Sequence, residues 1–251
     1  MSKKRKIKGK FCGKVLSVAV VTCMVSSYAA IGASATEISS GTVSATASTA
    51  SVTETPASDF NYEENSDGTI TITEYLGSAT EVVIPSTING KSVTSIDDWA
   101  FGGCTGLTSI TIPDSVTSIG EGAFEYCSGL TSITIPGSVT SIGDSAFENC
   151  EELTSITIPD GVTSIGNWAF GDCTGLTSIE IPDSVTSIGD YVFAACNGLT
   201  SITIPDSITS ISYGAFSACS KLTSIIIPNS VKSIGDWAFA NCSGLIKYRN
   251  S

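Results

Sequence analysis

Seven leucines, Leu107, Leu130, Leu153, Leu176, Leu199, Leu222 and Leu245, stand 23 residues apart. A fixed period of that size means a short unit stacked on copies of itself, because so small a unit cannot bury its own apolar face. The unit beginning at Leu107 reads LTSITIPDSVTSIGEGAFEYCSG. With leucine as position 1, the other apolar residues fall at positions 4, 6, 10, 13, 17, 18 and 21. Six full copies span residues 107–244, and residues 245–251 form a truncated C-terminal edge. Residues 59–106 read as an N-terminal cap and an irregular first copy, with Val82, Ile84, Val93 and Ile96 in the equivalent places.

The spacing inside a unit predicts its path. Ile110-Thr111-Ile112 alternates and is stopped by Pro113, as a short strand is, because proline cannot donate to a ladder. Val116 to Gly120 reads as a second short extended piece ending in a turn. The Ala123-Phe124-x-x-Cys127 spacing predicts a 3₁₀ or helical return. The fold class is therefore an α/β solenoid, mostly β, whose successive coils pair equivalent strands in parallel about 4.8 Å apart. The alternating Thr69-Ile70-Thr71-Ile72-Thr73 run supplies a strand for the cap.

Charge divides the chain. Seven of its 12 basic residues lie in the first 14 positions, and all 24 acidic residues lie from Glu37 onward. A basic start, the apolar run from Val15 to Val25 and the small residues through Ala33-Ser34-Ala35 predict a signal peptide over residues 1–35, cut before Thr36. Residues 36–58 are rich in Ser, Thr and Ala without apolar period, which predicts a disordered stalk. The expected location is outside the cell, secreted or associated with its surface. Without the leader, 12 − 7 = 5 basic residues face 24 acidic ones. Such a surface repels phosphate backbones and anionic lipid, so neither nucleic acid nor, after leader removal, the membrane is an expected partner.

Candidate chemistry is sparse. Cys104, Cys127, Cys150, Cys173, Cys196, Cys219 and Cys242 repeat at one position, an odd number with no C-x-x-C pair, and the chain has no histidine. Stacked Cβ atoms about 4.8 Å apart exceed the roughly 3.5–4.5 Å that disulfides prefer. The seven are expected to be a structural ladder of buried thiols rather than a disulfide framework or a metal site. Glu63, Asn65, Asp67, Gly68 and Glu74 have nearly the spacing of a calcium loop, but their flank is strand-like and Asn-Ser-Asp-Gly makes a good hairpin turn. No Ser-His-Asp or Cys-His constellation and no G-x-S-x-G elbow occurs, so no enzyme, catalytic residue, metal or cofactor is expected.

What remains is surface. Thr108, Ser109, Thr111 and their repeats give a hydroxyl-rich strand face. Position 16 holds Trp99, Gly122, Ser145, Trp168, Tyr191, Gly214 and Trp237, which places every tryptophan of the protein in one column. That column is expected on the outer rim of the coils. Its rings either stand open to a ligand or fold down over the neighbouring phenylalanines. Trp99, Trp168, Tyr191 and Trp237, with the adjoining Tyr213, are the candidate ligand-binding residues.

The recurring L-x-x-I-x-I-P…V-x-x-I-G-x-x-A-F-x-x-C unit, as in Leu107, Ile110, Ile112, Pro113, Val116, Ile119, Gly120, Ala123, Phe124 and Cys127, resembles the BspA-like branch of bacterial leucine-rich-repeat proteins. The resemblance covers about Phe60 to Leu245 and implies a right-handed leucine-rich-repeat array. It also implies a secreted or surface protein that adheres to host matrix proteins or other cells, with a protein ligand as partner. Carbohydrate binding by the aromatic column is the alternative. Two features depart from broader patterns. Serine mostly replaces the asparagine common after the first strand (Ser115, Ser138, Ser184, Ser207, Ser230), and no LPxTG sorting motif follows the array.

Overall fold

A computed structural model describes residues 53–250 of the chain, and the expected leader and most of the expected stalk lie outside them. The array begins with an antiparallel hairpin, β1 (Phe60–Glu64) and β2 (Ile70–Tyr75). Next come β3 (Glu81–Val83), β4 (Thr87–Ile88) and β5 (Lys91–Ile96), which together form the irregular first coil. From there each coil contributes two short strands. The first carries the Ser-Ile-Thr core of the repeat, as at Ser109–Thr111, and the second is a Ser-Ile pair, as at Ser118–Ile119.

At all but one junction equivalent strands pair in parallel and in register, Ile110 with Ile133 and Ile119 with Ile142, so paired copies present the same residues to each other. Inward positions carry the apolar side chains. Leucine, isoleucine, valine, phenylalanine and cysteine columns form one core running through the array. The phenylalanines stack as an unbroken column, Phe101 to Phe239, with ring centroids 5.2–5.5 Å apart and planes within 19° of parallel. Tyr75 continues that column into the cap, 5.4 Å from Phe101, and Phe60 covers Tyr75. The cap thus closes the N-terminal end with the same chemistry that fills the interior.

Two expectations need correction. Order begins before Phe60: the Thr55 N–H donates to the Val83 carbonyl at 2.9 Å, and Val83 N–H donates to Thr55 Oγ1 at 3.0 Å. Thr55, expected to belong to the stalk, instead satisfies both backbone groups of Val83 at the end of β3.

The return segment is not a 3₁₀ or α-helix either. In the coil from Leu107, the N–H groups of Gly122, Phe124 and Tyr126 donate to Asp144, Ala146 and Glu148 of the next coil. Those of Ala123, Glu125 and Cys127 donate three residues back. A helix would turn all of them inward, whereas this alternation extends the ladder around the corner. It requires a left-handed residue at position 16 (φ +54° to +62°) and at position 20 (φ +55° to +75°) of every coil from Trp99 to Asn241. Left-handed residues are single interruptions that no helix absorbs.

The array has one step. Gly120, Gly143, Gly166, Gly189 and Gly235 occupy position 14, pressed against the backbone of the preceding coil. A methyl group on Gly166 would stand 2.5 Å from Asp144 N and 2.6 Å from Gly143 C. In the coil starting at Leu199 this place belongs to Ser212. Both strand ladders break there: Ser178–Glu180 does not pair with Ser201–Thr203, nor Ser187–Ile188 with Ser210–Ile211. Where Gly189 and Gly235 donate their N–H one coil back, Ser212 donates its Oγ–H to the Ile188 carbonyl at 2.6 Å. The core stays continuous across the step, with Phe193 and Phe216 5.5 Å apart.

Candidate functional site

The rim is made by positions 15 to 20, so its side chains are set by the left-handed corner. For L-residues with a Cβ, that conformation costs roughly 1–2 kcal/mol each, and glycine avoids the cost. Yet glycine fills position 16 only at Gly122 and Gly214, while Trp99, Trp168, Tyr191 and Trp237 hold φ values of +56° to +62°. Four aromatic residues sit where the backbone favours glycine.

Their rings lie along the rim rather than over the phenylalanines. A Cβ on Gly122 would meet Trp99 Cε2 at 2.9 Å, and one on Gly214 would meet the Tyr191 ring. Trp99 and Tyr191 thus each cover the glycine of the following coil. Trp168 has a ring ahead of it instead and stacks on Tyr191, centroids 4.4 Å apart and planes 17° from parallel. Tyr213 then meets Tyr191 edge-on, 5.2 Å away at 72°. The candidate residues separate accordingly. Trp168, Tyr191 and Tyr213 form one cluster across three successive coils, while Trp99 and Trp237 stand apart at either end. Trp168 and Tyr191 are half-buried, Tyr213 is 38% exposed, Trp99 40% and Trp237 65%.

Tyr213 breaks a second rule of the rim. At position 15 a side-chain oxygen normally accepts the backbone N–H of the same position one coil ahead. Asp98 accepts from Glu121 (2.7 Å), Asp144 from Asn167 (2.8 Å), Asn167 from Asp190 (2.8 Å) and Asp190 from Tyr213 (3.1 Å). The stretch that starts at Asp144 ends at Tyr213, whose hydroxyl sits at the far end of a rigid ring. Its hydroxyl instead lies toward that of Tyr191, and this neighbour pushes the Tyr191 phenol above its ordinary value. Burial beside Glu151 likewise raises the Asp172 carboxyl.

The cysteines point the other way. Cys104, Cys127, Cys150, Cys173, Cys196 and Cys219 are buried free thiols, and Cys242, in the last full coil, is half-buried. From Cys127 on, each S–H donates to the carbonyl of the phenylalanine one coil back, at 3.0–3.3 Å. Burial pushes the thiols of Cys150, Cys173 and Cys196 far up, and that of Cys219 up to about 12, which disfavours the reactive thiolate.

In the cap, Asp67 accepts from the backbone N–H (3.0 Å) and hydroxyl (2.7 Å) of Thr69, and those bonds hold its carboxyl below the usual range. Asn65 bridges Thr69 and Thr71, and Glu74 accepts from Asn61. The segment that resembles a calcium loop is the turn of the β1–β2 hairpin.

Sequence reasoning found the rim column but not what organises it. The left-handed backbone is hidden because glycine marks so few of its positions. Tyr75 was missed as a member of the phenylalanine column because it falls 26 residues before Phe101 rather than 23.

Comparison with known proteins places this geometry. The family model described as BspA type leucine rich repeat region, in six copies, matches residues 73–197 and 140–249. A leucine-rich-repeat protein of Treponema pallidum is 32% identical, superimposes with a TM-score of 0.73, and the match covers 79% of this chain and 98% of that one. One from Bacteroides ovatus is 40% identical with a TM-score of 0.70, over 76% of this chain and 51% of that one, so this chain spans about half its length. A search of curated proteins found no significant match.

Proposed function

Since the chain belongs to the BspA-type leucine-rich-repeat family, we propose that it works as a non-enzymatic binding module, exported from the cell, that adheres to matrix or cell-surface proteins. One observation carries this reading: the array keeps its potentially reactive groups in the scaffold and repeats its polar groups outside. Six of the seven ladder thiols are buried and Cys242 is half-buried, and among the described residues the buried polar side chains are Glu125 and Ser145. The outer faces are ordered columns. At position 2, Thr131, Thr177 and Thr223 donate their hydroxyls to the carbonyl one coil back at 3.0–3.2 Å, which holds each threonine side chain in place. A rigid surface of this kind loses little side-chain freedom on binding, which favours recognition of an extended partner.

Binding of the exported chain to a panel of purified extracellular-matrix proteins tests the reading, alongside an array of neutral glycans. Saturable binding to one or more matrix proteins is the expected result. Silence on the protein panel with binding to glycans would replace it by carbohydrate recognition, and hydrolysis of any panel member would make the chain an enzyme. Export is tested separately by the intact mass of secreted material, which should correspond to a chain starting at Thr36.

A further inference from the structure

We propose that Trp168, Tyr191 and Tyr213 form the docking patch for an arginine-rich segment of a protein partner. This rests on the binding-module reading and narrows it to one surface and one ligand chemistry.

The patch is where the repeat abandons its own rules. Position 14 is glycine in the other five full copies and serine at Ser212, in the coil where both strand ladders break. Position 15 supplies an amide-accepting oxygen at Asp144, Asn167 and Asp190, and a phenol at Tyr213. Both departures are consecutive and fall in one coil, beside the stacked pair of Trp168 and Tyr191. The serine replaces a backbone bond by one from its hydroxyl, and the phenol supplies no acceptor to the next coil. Trp168 and Tyr191 are half-buried against each other and Tyr213 is 38% exposed beside them, and partly exposed aromatic clusters are enriched at binding surfaces.

Charge selects the ligand. Positions 15 to 20 of the seven coils carry eight acidic residues, Asp98, Glu121, Glu125, Asp144, Glu148, Asp172, Asp190 and Asp236, and no basic one. The five basic residues after the leader, Lys91, Lys221, Lys232, Lys247 and Arg249, all lie at other positions of the repeat. Aromatic rings with Asp190 beside them suit a cation, and a guanidinium best, because it is planar, stacks on a ring and still reaches a carboxylate. A neutral sugar needs a broad open ring face. Trp168 and Tyr191 close one face of each other, and Tyr213 meets Tyr191 edge-on, so the three rings present no continuous flat platform. A guanidinium needs only one exposed ring face with a carboxylate in reach.

The test is fluorescence anisotropy of the full chain with a labelled peptide of nine arginines and with its nine-citrulline counterpart, which keeps the shape without the charge. The arginine peptide should bind, and the citrulline peptide at least about tenfold more weakly. Tyr213→Asn removes the ring but restores a residue type that position 15 accepts at Asn167, so the thermal midpoint should hold or rise. Affinity for the arginine peptide should nevertheless fall about tenfold. Neutralising Glu151 and Glu152 to glutamine, acids outside positions 15 to 20, should change affinity by less than about twofold. Equal binding by Tyr213→Asn, or a larger loss on neutralising Glu151 and Glu152, would reduce the effect to bulk attraction and overturn the patch. Ring-dependent binding of the citrulline peptide or of cellohexaose would overturn the ligand class. If Tyr213→Asn still binds the matrix proteins that the unmodified chain binds, the binding-module reading stands and this assignment of its surface falls.

Discussion

The thiol of Cys173 donates to the carbonyl oxygen of Phe147, 3.1 Å away and one coil back, so the cysteine ladder ties consecutive coils together through their phenylalanines. The same bond type recurs from Cys127 to Cys242. Alkylation should follow burial. In native protein lacking residues 1–35, which hold Cys12 and Cys23, Cys242 should react first and the six buried thiols only through opening of the array, whereas denaturant should expose all seven. Mass spectrometry of iodoacetamide-treated protein counts the adducts. A denatured count near one, with six thiols held in disulfides, would contradict the thiol ladder.

The same thiols set an alkaline limit. Cys219 ionises near pH 9 when unfolded and near 12 when folded. Between those values the unfolded chain has released a proton that the native chain retains, so its contribution is complete below about pH 9 and is lost as pH rises toward 12. Each such thiol steepens the fall by up to about 1.4 kcal/mol per pH unit. Denaturant midpoints from pH 8 to 11 should decline, and replacing Cys219 with serine should flatten the decline.

Position 14 offers a paired substitution. Gly166→Ala forces a methyl group against Asp144 N and Gly143 C and should cost about 1–3 kcal/mol or more. Ser212→Gly removes the wedge at the step and should bring residue 212 into the ladder beneath Ile188. Hydrogen exchange reads the second effect directly: the residue 212 amide should become protected like those of Gly189 and Gly235. An unchanged exchange rate would place the cause of the step elsewhere.

Phe170 lies between Phe147 and Phe193 at 5.4 and 5.5 Å. Phe170→Ala should cost about 3–5 kcal/mol, and because coils contact only their neighbours the loss should begin mid-array. Exchange that quickens around Leu153 to Leu199 before it reaches the hairpin cap is the expected pattern.

These effects differ in how far residue identity reveals them. Leu, Ile, Phe and Cys at fixed intervals could be assigned to the core because burial repeats with residue type. The left-handed corner could not, since a conformation that suits glycine is held here by Trp99, Ser145, Asp172 and Ala195. What imposes it is the alternation of hydrogen bonds within and between coils, a property of the stack rather than of any one unit. Thr55 was assigned to the stalk for a similar reason: its partner Val83 lies 28 residues on, and no periodic pattern links them. On the rim, the column was legible, but the grouping of Trp168 with Tyr191 and Tyr213 depends on how each ring leans along the array axis.

That lean separates the aromatic residues energetically. Tyr191 has Trp168 on one face and covers Gly214 with its ring, so it gains a stacked pair and shields the coil ahead. Trp237 has the same left-handed backbone, φ +62°, but is 65% exposed. Replacing each with glycine removes the same backbone penalty and very different contacts. Trp237→Gly should leave stability unchanged or raise it by up to about 1 kcal/mol, the relief being partly offset by glycine's greater freedom in the unfolded chain. Tyr191→Gly should lower it by about 1 kcal/mol, because the lost aromatic pair and buried ring area outweigh the relief. Acrylamide quenching provides an independent check. Trp237→Gly should remove the most readily quenched fraction of the tryptophan emission, and Tyr191→Gly should make the remainder more quenchable by uncovering Trp168. If the two substitutions shift the denaturant midpoint equally, the rim rings contribute nothing beyond their backbone cost.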